Sequence, residues 1–229
     1  ADYTCAMHNT FTQAIRIHRF GGPEVLQWEE IPLSPPAPGE VTIRQTAIGL
    51  NFIDTYHRSG LYPLTLPAVI GTEAAGVVEA LGPDVTGFAV GDRVAYTGLP
   101  PGAYAAHRNW PVDRLVKLTA GITDEVAASV MLKGLTAWYL LRRSYRVQAG
   151  DTLLLYAAAG GTGTLLSQWA AALSARVIGV AGSAAKAAIA REHGCAETVL
   201  STDPDVVKKV REFSGGGVAV VYDSVGRDT

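Results

Sequence analysis

Hydrophobic residues make up 48% of the 229 and charged residues 17%, and 19 Lys/Arg against 21 Asp/Glu leave a formal net charge of -2. This excludes global disorder, which needs low hydrophobicity and high net charge. It also provides no basic footprint for a nucleic acid or an anionic membrane. Glycine is in excess, with 25 copies and no three-residue period, so the glycines mark turns and close backbone approaches.

The first letters, ADYTCAMHNT, have neither a positive n-region nor an apolar h-region, so residues 1–11 read as a tail and not a signal peptide. No apolar run approaches the ~18–20 residues of a membrane span. Cys5 and Cys195 have no CxxC partner, which argues against a disulfide framework or a structural zinc and for a reduced, cytoplasmic setting.

Residues 12–125 carry short β-rich runs broken by proline and glycine. Strands are predicted at Gln13–His18, Val25–Ile31, Val41–Leu50, Gly76–Ala80, Arg93–Tyr96 and Tyr104–His107. One helix interrupts them, with Asn51 as N-cap, Asp54 three residues on and Gly60 as the stop. Thr123 caps a further helix that carries Asp124 and Glu125 in its first turn, and a second is predicted over Gly134–Arg143. Arg142, Arg143 and Arg146 gather at its end, either as an anion site or as ordinary surface charge.

From Thr152 strand and helix alternate. Strands are predicted at Thr152–Tyr156, Arg176–Val180, Glu197–Leu200 and Val218–Tyr222. The helices between them fall at Thr162–Ser174, Ala184–His193 and Pro204–Phe213. Apolar strands separated by helices of this length imply parallel βαβ units. The fold class is therefore α/β.

The first of these units contains Ala158-Ala159-Gly160-Gly161-Thr162-Gly163 between strand and helix. Against G-x-G-x-x-G it keeps the second and third glycines. Gly160 admits a close pyrophosphate, Gly163 lets the helix pack on the sheet, and the helix N-terminus offers free N–H groups. In NAD enzymes a carboxylate about 20 residues on binds the ribose 2′-OH. Here the second strand ends Gly179-Val180-Ala181-Gly182-Ser183 and runs on to Lys186. A hydroxyl and a cation suit a 2′-phosphate, so the pattern favours NADPH. A nicotinamide carries its own hydride, so the protein needs few acid–base groups. Asn51, Tyr56 and Tyr62 are the polar groups available on the substrate side.

The stretches GGPEVL (21–26), GLNFIDTYHRSGLYP (49–63), GTEAAGVVEALG (71–82), GDRV (91–94), LKGLTAWYLL (132–141), AAAGGTG (157–163) and VYDSVGRDT (221–229) resemble the quinone oxidoreductase, or zeta-crystallin-like, branch of the medium-chain dehydrogenase/reductase superfamily. The resemblance implies a GroES-like β-rich catalytic domain (12–125) followed by a Rossmann doubly wound parallel sheet (126–229), with NADPH in the cleft between them. It implies an NADPH-dependent reductase of a small quinone, with reduction of α,β-unsaturated carbonyls as the neighbouring activity and a non-catalytic crystallin or RNA-binding role as the distant one. It places Asn51, Tyr56, Lys133 and Thr136 near the nicotinamide, Gly160, Gly161, Thr162 and Gly163 on the pyrophosphate, and Gly182, Ser183 and Lys186 around the 2′-phosphate. Zinc-dependent relatives carry cysteine at Asn51 and histidine at Thr72, so the resemblance implies a metal-free site. Close relatives have valine at Thr162, a tyrosine at the position that corresponds to Ser201 beside the 2′-phosphate, and glycine at Ser174. The sheet is expected to be incomplete, four strands of six, so the sequence reads as the N-terminal part of a longer enzyme that forms a homodimer.

Overall fold

The computed structural model describes residues 10–226. Cys5, His8 and the last three letters of VYDSVGRDT lie outside the described residues. The chain divides into two compact units, Ala1–Leu132 and Lys133–Thr229.

The first unit holds β1 (Thr10–Ile17), β2 (Gln27–Leu33), β3 (Glu40–Gly49), α1 (Phe52–Ser59), β4 (Ala68–Val69), β5 (Glu73–Leu81), β6 (Arg93–Thr97), β7 (His107–Pro111) and β8 (Val116–Lys117). They form two sheets, ordered β2-β1-β4 and β7-β3-β5-β6-β8, with every pair antiparallel. β5 is covered on both faces. Ala74 and Val78 pack with Val41, Ile43, Val94 and Tyr96, while Ala75 packs with Ala95, Ala127 and Ala128. A strand covered on both sides reads as a run of apolar residues, not as an alternation.

Three expectations shift here. β1 begins at Thr10, inside the stretch expected as a tail. Pro23 opens a 3-10 turn over Pro23–Val25, so β2 starts at Gln27 and not at Val25. The strand expected at Tyr104–His107 begins only at His107. The backbone before it is committed elsewhere: Ile15 N–H donates to Tyr104 O (2.7 Å), Tyr104 N–H to Ile70 O (2.9 Å) and Ala106 N–H to Gln13 O (2.8 Å).

α2 (Asp124–Tyr139) contains the division between the units, which falls after Leu132. Thr123 Oγ1 accepts from Val126 N–H (3.3 Å) at its start. The two helices expected here are one, because Gly134 costs a helix interior only about 1 kcal/mol. It is closed by a π-turn over Leu140–Ser144. The Arg143 guanidinium lies 5.8 Å from the Trp138 ring centre, which favours the surface-charge reading of the arginine group.

The second unit is β9 (Thr152–Leu155), α3 (Gly161–Ala172), β10 (Arg176–Ala181), α4 (Ala184–Glu192), β11 (Cys195–Leu200), α5 (Val206–Ser214) and β12 (Val220–Tyr222). The four strands are parallel, in the order β11-β10-β9-β12. Numbered within the unit, that is 3-2-1-4, the central part of the Rossmann order. Both faces are packed. Leu153, Leu155 and Val177 meet Leu166 and Ala170 of α3 and Ala137 of α2, while Leu154, Ile178 and Val199 meet Val210 of α5. Tyr222 OH donates to Leu140 O (2.8 Å), tying β12 to the end of α2. Ser174, where relatives were expected to carry glycine, takes the left-handed conformation at φ 60. Among the described residues, no helix is long and apolar enough to cross a membrane.

Candidate functional site

In the first unit the site residues are built on α1. Asn51 occupies the N-cap, and the Asp54 carboxylate reaches back to its N–H (2.9 Å), as in a capping box. Gly60 ends the helix at φ 83, and a Cβ there would meet the Phe20 ring at 2.8 Å. The helix and the turn after it bring Tyr56 and Tyr62 together. Tyr62 N–H donates to Tyr56 O (3.2 Å), and the two rings sit edge to face, 5.3 Å apart. Tyr62 is half exposed, Tyr56 partly buried and Asn51 buried.

Beneath them lies a polar network that sequence reading missed. Asp54 is 2% exposed and accepts from Tyr104 OH (2.9 Å) and Thr72 Oγ1 (3.3 Å) in addition to the Asn51 N–H. Glu73 is 0% exposed and accepts from Asn51 Nδ2 (2.6 Å) and Leu132 N–H (2.7 Å). Two buried carboxylates in one unit demand such partners, because an uncompensated buried charge is strongly destabilising. The available signal was an acid at the head of an otherwise apolar strand, Glu73-Ala74-Ala75-Gly76-Val77-Val78. Burial pushes the Tyr104 hydroxyl well above its ordinary range, and the adjacent Asp54 adds to the shift, so Tyr104 acts as a neutral donor. Burial lowers His57, and Asp54 opposes this only in part. Tyr104 also borders a mostly apolar cavity of about 300 Å³, shared with Trp28, Ile48 and Leu50.

In the second unit the glycine turn joins β9 to α3. No side chain caps α3, and the N–H groups of its first turn, Gly161, Thr162 and Gly163, have no partner within the helix. Gly163 is fixed by close approach, since a Cβ there would lie 2.5 Å from Ala157 O and 2.7 Å from Ala158 O. At Gly160 the nearest atom to such a Cβ is Ala157 O at 3.1 Å, and the residue is exposed. A Cβ on Gly161 would meet Lys133 Cδ at 2.8 Å, so the Lys133 stem lies across the turn, with Thr136 one helical turn further along α2. At the end of β10, Ser183 Oγ accepts from Lys186 N–H (3.3 Å), which leaves its own hydrogen to donate. Ser201 joins this corner through its N–H to Ala181 O (2.9 Å), with its hydroxyl 4.0 Å from the Cβ position of Gly182.

Residues 37–120 match the alcohol dehydrogenase GroES-like domain, and residues 161–229 match the family described as zinc-binding dehydrogenase. The chain is 51% identical to a quinone oxidoreductase of Pseudomonas aeruginosa over 217 residues, covering 94% of this chain and 67% of that protein. The chain belongs to the quinone oxidoreductase branch of the medium-chain dehydrogenase/reductase superfamily. A 2-haloacrylate reductase from a Burkholderia species is 49% identical, with 93% of this chain and 66% of that protein covered. The structure of the Escherichia coli quinone oxidoreductase complexed with NADPH is similar at 46% identity and a TM-score of 0.92, covering 95% of this chain and 67% of that one. The chain spans about two thirds of the length of these family members.

Zinc, which one family description names, does not fit the donors present. The Asn51 amide nitrogen is turned to Glu73 and the Thr72 hydroxyl to Asp54. Among the described residues no group of three His, Cys, Asp or Glu side chains is placed to hold a metal.

Proposed function

We propose that this chain supplies the cofactor- and substrate-binding residues of a metal-independent, NADPH-dependent quinone reductase that acts in the cytoplasm as a homodimer. The observation that carries this reading is the uncapped start of α3 after β9, paired with a second corner of Gly182, Ser183 and Lys186 that lacks a carboxylate. The E. coli family member complexed with NADPH supports it.

The N–H groups of Gly161, Thr162 and Gly163 bind the pyrophosphate. Ser183, Lys186 and Ser201 hold the 2′-phosphate, Lys186 as the charge and the serines as neutral donors. Lys133 and Thr136 serve the nicotinamide end. When bound, the nicotinamide supplies the hydride. Tyr56 and Tyr62 hold the quinone and donate hydrogen bonds to its oxygens, and Asn51 orients the reacting groups.

A second reading, reduction of α,β-unsaturated carbonyls, is favoured by the 49% identity to the Burkholderia 2-haloacrylate reductase. Steady-state rates of the complete protein with a quinone series and an alkenal series separate the two. A higher kcat/KM for quinones is expected, and a higher value for alkenals selects the second reading. NADPH is expected to quench the Trp138 and Trp169 fluorescence of the complete protein. No binding at millimolar NADPH overturns both.

A further inference from the structure

We propose that His57 positions Tyr62 for the quinone while its imidazole is neutral and releases the tyrosine on taking up a proton; this rests on the reading above, in which Tyr62 holds the quinone. The left-handed turn at Gly60 folds the chain back after α1, so that Tyr62 N–H reaches Tyr56 O (3.2 Å). The centre of the Tyr62 ring lies 6.2 Å from that of His57 and 5.3 Å from that of Tyr56. Ring pairs at such separations attract one another. Tyr62 is 50% exposed and His57 3%. The imidazole is thus the buried floor on which one side of the tyrosine rests.

That floor holds only without charge. His57 Nδ1 is buried and has no hydrogen-bond partner among the described residues. A neutral imidazole can leave Nδ1 as a bare acceptor, whereas an imidazolium donates from both nitrogens. A buried charged donor with nothing to receive it is strongly disfavoured, and burial lowers the affinity of His57 for a proton. The charged and titratable groups around it come from several places. Asp54 and Arg58 lie on α1, Tyr62 follows it, Tyr104 comes from the segment before β7, and Arg19 and Glu24 come from the turn after β1. Arg58 donates to Gly21 O (3.3 Å) and, with Arg19, acts on Glu24. Asp54 is the group whose charge favours the protonated ring. It lies one helical turn earlier and already accepts from Tyr104 OH, Thr72 Oγ1 and the Asn51 N–H. A protonated His57 must therefore turn toward Asp54 or toward water, and either movement takes the ring from under Tyr62.

The test follows steady-state kinetics of the complete protein with NADPH and p-benzoquinone from about pH 8 to about pH 5. KM for the quinone is expected to rise roughly tenfold per pH unit once pH falls below the folded value of His57, with kcat and the Kd for NADPH little changed. His57→Phe keeps a ring that takes no proton. It is expected to hold KM at about pH 8 within roughly twofold of the unmodified protein and to remove the acid rise. His57→Ala removes the floor, and KM is expected to stand about tenfold higher at every pH. Tyr62→Ala separates the two failures. Where it raises KM, an acid rise that persists in His57→Phe, or an unchanged KM in His57→Ala, overturns the proposal. An unchanged KM in Tyr62→Ala means that Tyr62 does not hold the quinone, which is a failure of the reading above. In that case, or should a His57 variant not fold, NMR of the unmodified protein decides. Nuclear Overhauser contacts between the His57 and Tyr62 rings that vanish below the His57 midpoint support the proposal, and contacts that persist through it overturn it.

Discussion

Gly160 and Gly163 are three residues apart, and different neighbours constrain them. At Gly163 two backbone carbonyls stand within 2.7 Å of any Cβ, and backbone cannot rotate away. Gly163→Ala is therefore expected to destabilise the protein by about 1–3 kcal/mol, read as a fall in melting temperature. Gly160 meets only one carbonyl, at 3.1 Å, and its other side is open. Gly160→Ala is expected to cost under about 1 kcal/mol in stability while weakening NADPH at least tenfold, on the order of 1.4 kcal/mol. Equal effects of both variants on stability would mean that Gly160 is held by packing and not by a ligand. At this scale the turn was legible, because the glycines fall between an apolar strand and an apolar helix. The burial of Asp54 and Glu73 was not, because an acid beside a turn or at a strand end reads as solvated. Only the approach of Gly49 and Leu132 to Glu73, and of Thr72 and Tyr104 to Asp54, removes the water.

α1 was legible down to its caps, since Asn51, Asp54 and Gly60 each act locally and need no tertiary information. The burial of His57 was not, because it depends on what packs over the helix. Burial holds His57 below its ordinary value of 6.5, so the native state stays neutral where the unfolded chain takes up a proton. That contribution to stability is complete above the unfolded value and is lost as pH falls through the folded one. Urea midpoints of the complete protein are expected to drop between about pH 7 and pH 5, and His57→Gln is expected to flatten part of that slope. An identical slope in the variant would assign the acid sensitivity to other groups. α2 shows the opposite case. Its sequence suggests two helices, one capped by Thr123 and one from Gly134, yet packing against β5 at one end and the second unit's own core at the other carries one helix through.

For the whole chain, the alternation of strand and helix after Thr152 was enough to foresee a parallel sheet. The order β11-β10-β9-β12 came only with the resemblance to a Rossmann sheet, since alternation alone does not set which strands are neighbours. The crossing of Tyr104–Ala106 between the two sheets of the first unit was not foreseen, since a residue that bridges sheets obeys neither pattern. The reading of the second unit makes a distributed prediction. A ligand that binds only the native state stabilises it by about 2.7 kcal/mol at 100 times its Kd. NADPH at that level is expected to slow hydrogen exchange in β9, in the first turn of α3 and at the end of β10. Protection confined to other segments would move the nucleotide site elsewhere.

Ser174 has a consequence for durability. It closes α3 in a left-handed conformation, and its carbonyl receives Gly150 N–H (2.9 Å). An L-residue pays about 1–2 kcal/mol for that backbone, against about 0.5–1 kcal/mol of added unfolded-state freedom for glycine. The difference favours glycine, and nothing in the proposed cofactor or substrate contacts involves this corner. The protein therefore holds unused heat tolerance at a hinge between helix and strand, open to selection or to engineering without any change in what the enzyme recognises.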